Sequence, residues 1–264
     1  MGLVYWFVFH SDKLLLRKVD EGYEVPFSEH PPCQCPSLVD VHAIYTIGKH
    51  ECCAFSVQSD YLPDDGMSFV SLRESYYYLS EEYYRVAGMA YQLLYWEETS
   101  KYCSACGALM DRLPANGKCC PVCKREVWPR ISPAIIVLVR RKEPGEHEKV
   151  LLVRAHNFRG DFHGLVAGFL EVGESLEECV IREVYEETHL KIKNLKYFGS
   201  QSWPYPSGIM IGFVADYDGG EIVVQESELK SASWYTKDNL PRIPEKLSIA
   251  RKLIDYWIDS LDIK

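Results

Sequence analysis

The sequence predicts a layered α/β or α+β protein that carries a separate cysteine-rich metal module. Three observations lead there. Apolar, strand-like runs at Ala134–Val139, Val150–Val153 and Ile209–Tyr217 alternate with helical patterns at Ser175–Leu190 and Glu245–Leu261, the interleaving that layers helices on a sheet. Cysteines stand in two Cys-x-x-Cys pairs, at 103–106 and at 120–123. The 264 residues exceed one domain of about 150, so about two domains are expected.

From the N-terminus, Leu3–Phe9 and Leu14–Leu16 are rich in strand formers, and His30-Pro31-Pro32 and Pro63-Asp64-Asp65-Gly66 are turn signals. No catalytic motif stands in the first 80 residues. Ser80 is placed to cap a helix running to Thr99, with Glu81 and Glu82 at its positive end. Tyr83, Val86, Ala90, Leu93 and Leu94 recur at helical spacing and read as core. Glu221–Val224 reads as a further strand. The closing helix carries an apolar stripe of Leu247, Ala250, Ile254, Trp257 and Leu261.

Composition is that of an ordinary globular chain, 47% hydrophobic and 25% charged. A net charge of −9 argues against broad binding to nucleic acid or an anionic membrane. It leaves an anionic substrate open, because a bound divalent cation inverts the local field. No apolar run approaches a membrane span, and Leu3–Phe9 lacks the basic start and cleavage site of a secretory signal. Residence in the cytoplasm is the simplest reading. Of ten cysteines, five lie within Cys103–Cys123, which points to metal rather than disulfides. Cys33, Cys35, Cys52, Cys53 and Cys179 show no such pattern and read as reduced thiols.

Cys103, Cys106, Cys120 and Cys123 form two knuckles separated by thirteen residues, which suits one tetrahedral zinc ion. Gly107 permits the tight turn after the first knuckle. Four protein ligands leave no open position, so the zinc is structural. Cys119 is an alternative ligand with less typical spacing. Lys118, Lys124 and Arg125 are too few to argue for nucleic-acid binding.

The most informative segment runs from Gly168 through Gly173 into the Ser175–Leu190 helix. Glu183, Glu186 and Glu187 stand at i, i+3 and i+4 and share a face. That face also carries Leu176, Cys179 and Leu190, so it turns toward the protein body, with Tyr185, Ile181 and Glu178 opposite. Clustered inward carboxylates repel one another and tend to protonate. Divalent cations relieve this, and hard oxygen ligands select magnesium or manganese. The implied chemistry is attack of water on a phosphate, with a carboxylate orienting or deprotonating the water. Arg182 is placed to hold a glutamate by a charge-assisted hydrogen bond.

Gly168 to Leu190 resembles the Nudix box, G-x5-E-x7-R-E-U-x-E-E-x-G-U, where U is aliphatic. Gly168, Glu174, Arg182, Glu183, Val184, Glu186, Glu187 and Leu190 match, while His189 stands where the family has glycine. Ser200-Gln201-Ser202-Trp203-Pro204-Tyr205-Pro206-Ser207 resembles the SQPWPFPxS array of the NADH pyrophosphatase (NudC-like) subfamily, with Ser202 for proline and Tyr205 for phenylalanine. The resemblance implies an α+β chain in which a C-terminal Nudix domain, an α-β-α sandwich with a mixed sheet, occupies residues 131–264. A four-cysteine zinc ribbon at 101–130 and a smaller N-terminal α+β domain at 1–100 precede it.

The resemblance further implies that Glu183, Glu187, Glu228 and the carbonyl of Ala167 ligate two to three magnesium or manganese ions. Glu186 is a further candidate for ligand or base. Gln201, Ser202, Trp203, Pro204, Tyr205, Pro206, Ser207 and Gly208 would line the dinucleotide site, bordered by Trp128 and Ala250, with Arg73 as a substrate arginine. The implied reaction is hydrolysis of NADH or NAD+ to NMNH or NMN and AMP by a homodimer with no membrane partner. Alternatives are removal of an NAD cap from RNA 5′ ends, a non-catalytic Nudix nucleotide-binding module, and a zinc-ribbon interaction protein.

Overall fold

In the computed structural model, residues 2–34, 41–57, 63–156 and 161–262 are described; Cys35 lies outside them. The chain forms two compact units, one of Met1–Arg130 with Pro204–Ser207, the other of Ile131–Trp203 with Gly208–Lys264.

In the first unit, β1 (Val4–His10), β2 (Lys13–Val19), β3 (Gly22–Glu24), β4 (Phe27–Ser28), β5 (His42–Ile47), β6 (His50–Ser56) and β7 (Met67–Ser71) make a mixed sheet with the main order β3-β2-β1-β6-β5. After the short α1 (Leu72–Ser75) comes α2 (Glu81–Thr99), whose N-cap Ser80 accepts from the Tyr83 N–H. Its stripe of Val86, Ala87, Ala90 and Leu94 packs on Phe7, Phe9, Leu14 and Leu16, while Trp6, Val8 and Leu15 face the other side of the sheet. This alternation is the period of two expected of a sheet buried on both faces. The ribbon follows as β8 (Asp111–Arg112), β9 (Lys118–Cys119) and β10 (Glu126–Val127). Lys118 is buried, its Nζ 2.9 Å from Glu97 Oε2, so it is an internal ion pair rather than a surface cation.

In the second unit, β11 (Ser132–Arg141), β12 (Lys149–Ala155), β13 (Val166–Phe169), α3 (Leu176–Thr188), β14 (Lys191–Trp203), β15 (Gly208–Gly219), β16 (Leu229–Tyr235) and α4 (Ile249–Asp262) follow in order. The sheet runs β14-β15-β11-β12-β16, with β13 on β11; β11 and β15 are parallel and the other pairs antiparallel. Ile135, Val137 and Val139 face Cys179, Val180 and Val184 of α3. Ile136 and Leu138 face Ile254 and Trp257 of α4. Helices thus cover both faces, the expected α-β-α sandwich with a mixed sheet. No helix among the described residues is long and apolar enough to cross a membrane.

Two local expectations change. Glu221–Val224 is not a strand. Instead the Val223 and Gln225 N–H groups donate to the Thr188 and Glu187 carbonyls, at 3.0 and 3.1 Å. Those carbonyls end α3 with no partner within the helix, and the passing segment satisfies them. The last helix begins at Ile249, not Glu245, with residues after Pro244 forming a turn.

Candidate active site

Local signals build α3 and aim it. A capping box closes its start: Ser175 Oγ accepts from the Glu178 N–H at 3.3 Å, and Glu178 Oε2 accepts from the Ser175 N–H at 2.8 Å. His189 ends it in the left-handed region, with φ 57°, where the box has glycine. Its N–H donates to the Tyr185 carbonyl at 2.7 Å, and its Nδ1 lies 3.0 Å from the Val223 carbonyl oxygen. These bonds offset the roughly 1–2 kcal/mol that a left-handed turn costs a residue with a Cβ.

Glu183 lies over β13. A Cβ on Gly168 would sit 2.0 Å from the Glu183 carboxyl carbon, so only glycine leaves room for the carboxylate there. Arg182 organises the cluster. Its Nε and Nη2 donate to the two oxygens of Glu174 at 2.7 and 3.0 Å, a bidentate fork. Its Nη1 donates to Glu183 at 2.8 Å and to Glu186 at 3.0 Å, and Nη2 reaches the Phe169 carbonyl at 3.1 Å. Hydrogen bonding to Arg182 holds the Glu174 carboxyl down at about 2. Burial raises the Glu183 carboxyl despite the guanidinium beside it.

Glu187 is 8% exposed, and its Oε2 is buried with no hydrogen-bond partner among the described residues. Burial, reinforced by the charges of Glu183, Glu228 and Glu186, pushes its carboxyl up to about 8. The segment hydrogen-bonded across the end of α3 leads into the turn that carries Glu228, which is exposed and within electrostatic reach of Glu187. Ala167 neighbours Gly168 on β13. Glu186 departs from the inward pair: its side chain is 50% exposed, against 14% for Glu183. Tyr185, Ile181 and Glu178 are exposed. A buried oxygen without a donor, a carboxylate seated on a glycine and further hard oxygens nearby fit a divalent cation. Among the described residues, no three of these carboxylates bring their oxygens within 4.8 Å of one another, as the cysteine sulfurs do.

The four sulfurs of Cys103, Cys106, Cys120 and Cys123 all lie within 4.8 Å of one another. Cys103 and Cys123 are 3.5 Å apart and Cys106 and Cys120 are 3.4 Å apart. Zinc–sulfur bonds of about 2.3 Å give a tetrahedral edge of about 3.8 Å, so the cluster fits one such ion. The Cys123 N–H, donating to the Cys120 sulfur at 3.4 Å, is the main influence lowering that thiol to about 6. Gly107 makes the first knuckle's turn with φ 75°, and Lys124 makes the second's with φ 62°. Cys119 points its thiol at the Cys120 carbonyl and stays outside the four.

The remaining predicted residues fall into three places. Ser202 and Trp203 end β14, paired with Ile209 and Gly208, which begins β15. The Gln201 amide is engaged elsewhere: Nε2 donates to the Leu247 carbonyl at 2.8 Å, and Oε1 accepts from the Ile249 N–H at 2.6 Å. Gln201 therefore anchors the start of α4, and Ala250 lies buried beside that start. In the first unit, the Arg73 guanidinium lies 4.7 Å from the Tyr205 ring centroid. Pro204 is buried, Pro206 is exposed and Ser207 is half-buried. Trp128 is half-exposed, its indole nitrogen 2.9 Å from where a Gly117 Cβ would be. Glu174, a box residue whose role does not follow from helix periodicity, is the partner that orients Arg182. Its spacing of eight residues from Arg182 was the available signal.

Residues 130–257 match the NUDIX domain family. Residues 4–96 match the NADH pyrophosphatase-like rudimentary NUDIX domain. The NAD-capped RNA hydrolase NudC of Pseudomonas aeruginosa is 40% identical over 73% of this chain and 68% of its own length. The chain belongs to the NudC subfamily of Nudix hydrolases. A NudC of Chromobacterium violaceum is 39% identical over 76% of this chain and 74% of its own length. With NudC of Pseudomonas fluorescens, 44% identical over 66% of this chain, the match spans 62% of that relative's length. The first 80 residues, in which no catalytic motif stands, thus fall almost wholly within a second, rudimentary domain of the Nudix kind.

Proposed function

We propose that this NudC-subfamily chain hydrolyses the pyrophosphate bond of NADH and NAD+, releasing NMNH or NMN and AMP. The observation that carries the reading is the buried Glu187 carboxylate, with an oxygen that has no donor among the described residues, beside Glu183 seated on Gly168. Glu183, Glu187, Glu228 and the Ala167 carbonyl would hold two to three magnesium or manganese ions. When bound, these compensate the charge of the diphosphate. Arg182 keeps Glu183 turned inward through its fork to Glu174. Glu186, the more exposed carboxylate, takes the proton of the attacking water, which adds to one phosphorus as the bond to the bridging oxygen breaks. Trp203 offers a ring face for a base, a stack worth about 1–3 kcal/mol, and the Pro204–Ser207 loop that follows it is proposed to meet the same dinucleotide. The four thiolates would hold one structural zinc ion. A homodimer is proposed as the working form, readable by sedimentation equilibrium.

Incubation with NADH and manganese, followed by product identification, tests the reading. NMNH and AMP are expected; an intact dinucleotide would overturn it. The names of the relatives support a second substrate of the same chemistry, an NAD cap on RNA. Cleavage rates for NADH and for NAD-capped RNA rank the two, and a preference for RNA carries a steep salt dependence.

A further inference from the structure

We infer that Tyr84 is a positioning residue for dinucleotide binding, holding the Pro204–Ser207 loop through the hydroxyl of Tyr205. The inference rests on the proposed hydrolase reading, in which that loop meets substrate.

Residues Tyr84 and Gly88 stand one helical turn apart on α2 and share a face. The Tyr84 and Tyr205 hydroxyls are 2.7 Å apart. Four residues on, a Cβ at Gly88 would come within 3.0 Å of Pro204 Cγ, so the missing side chain forms a notch that Pro204 fills. The Arg73 guanidinium covers the Tyr205 ring. Tyr76 meets the Tyr84 ring edge-on at 5.5 Å and 79°, which limits how Tyr84 can turn. The loop is therefore held by a hydrogen bond, a steric notch and a cation on a ring face.

Chemistry explains why Tyr84 matters in this chain. The resembled array has phenylalanine where Tyr205 stands, and phenylalanine needs no polar partner. A buried tyrosine hydroxyl does. Burial raises both phenols, so both keep their protons and one donates to the other. The tyrosine at 205 thus ties the loop's position to a helix more than a hundred residues earlier in sequence.

The test is a double-mutant cycle on the full chain, with NADH and manganese, using Tyr84→Phe, Tyr205→Phe and the pair. Tyr84→Phe is expected to raise KM about three- to tenfold with kcat within about twofold, the signature of lost ground-state binding. In the pair the rise should fall short of the product of the singles, because both act through one bond. Gly88→Ala should raise KM while the thermal midpoint holds or rises, since alanine favours the helix. A merely structural role would move the midpoint and leave KM. If the parent cleaves NADH but KM is unchanged in folded Tyr84→Phe and Gly88→Ala, the positioning role is overturned and the hydrolase reading stands. A parent that leaves NADH intact overturns that reading, and the positioning role falls with it.

Discussion

Replacing Glu187 by glutamine should stabilise the protein, at neutral and higher pH, when no magnesium or manganese is present. Glu187 is buried, one oxygen has no donor among the described residues, and its carboxyl is pushed up to about 8 against an ordinary 4.5. Between those values the folded state binds the proton more tightly than the unfolded state. Stability therefore falls as pH rises through that window, with no penalty below it and the full penalty above about 8. At about 1.4 kcal/mol per pH unit, the penalty is on the order of 3 kcal/mol at pH 7 and 5 kcal/mol above pH 8. Glutamine carries no charge and removes this slope. Urea unfolding of protein freed of magnesium and manganese but retaining the ribbon metal, from pH 5 to 9, measures it. Hydrogen exchange of the α3 amides localises it. The parent should lose stability across the range relative to Glu187→Gln, and manganese at pH 8 should restore the parent but not the variant. Identical slopes for the two proteins would refute the electrostatic reasoning.

Two further outcomes follow from the same geometry. Gly168→Ala puts a methyl 2.0 Å from the Glu183 carboxyl carbon and must expel that side chain. Turnover should drop by about 100-fold or more, the scale of losing a preorganised charged group, with the circular dichroism spectrum unchanged. Near-parental activity would show that Glu183 works from another position. Cys120→Ser should abolish the bound zinc, expected at one per chain, and melt the ribbon, whose strands of two residues cannot stand alone. Zinc binding of about 10–16 kcal/mol in small zinc peptides sets the scale, and exchange protection of residues 103–127 reads it out. Retained metal and protection would place the ligands elsewhere.

Some of this architecture was legible because its signals are local. The α3 carboxylates and the α4 stripe follow from a period of 3.6 residues, and the knuckle spacing from the bite of one tetrahedral ion. The edge strand β14 escaped notice for a physical reason. Among the described residues it pairs only with β15, so its alternation is blurred, and its register shifts near Asn194 and Gly199. Glu221–Val224 looked like a strand because its composition suits one, yet unpaired carbonyls at the end of α3 claimed its N–H groups.

Sequence alone determined that three glutamates, one arginine and four cysteines would stand at spacings that gather ligands; it turned all three glutamates inward, whereas the structure leaves Glu186 half in solvent. Tertiary structure decided which carboxylate is buried and which stays in water. It also seated Glu183 on Gly168, turned the Gln201 amide to the start of α4, and paired Tyr84 with Tyr205. Spacing within one helix or knuckle is set by backbone geometry over a few residues. Desolvation of a carboxylate, or a partner for a buried hydroxyl, depends on segments that meet only when the chain has closed on itself.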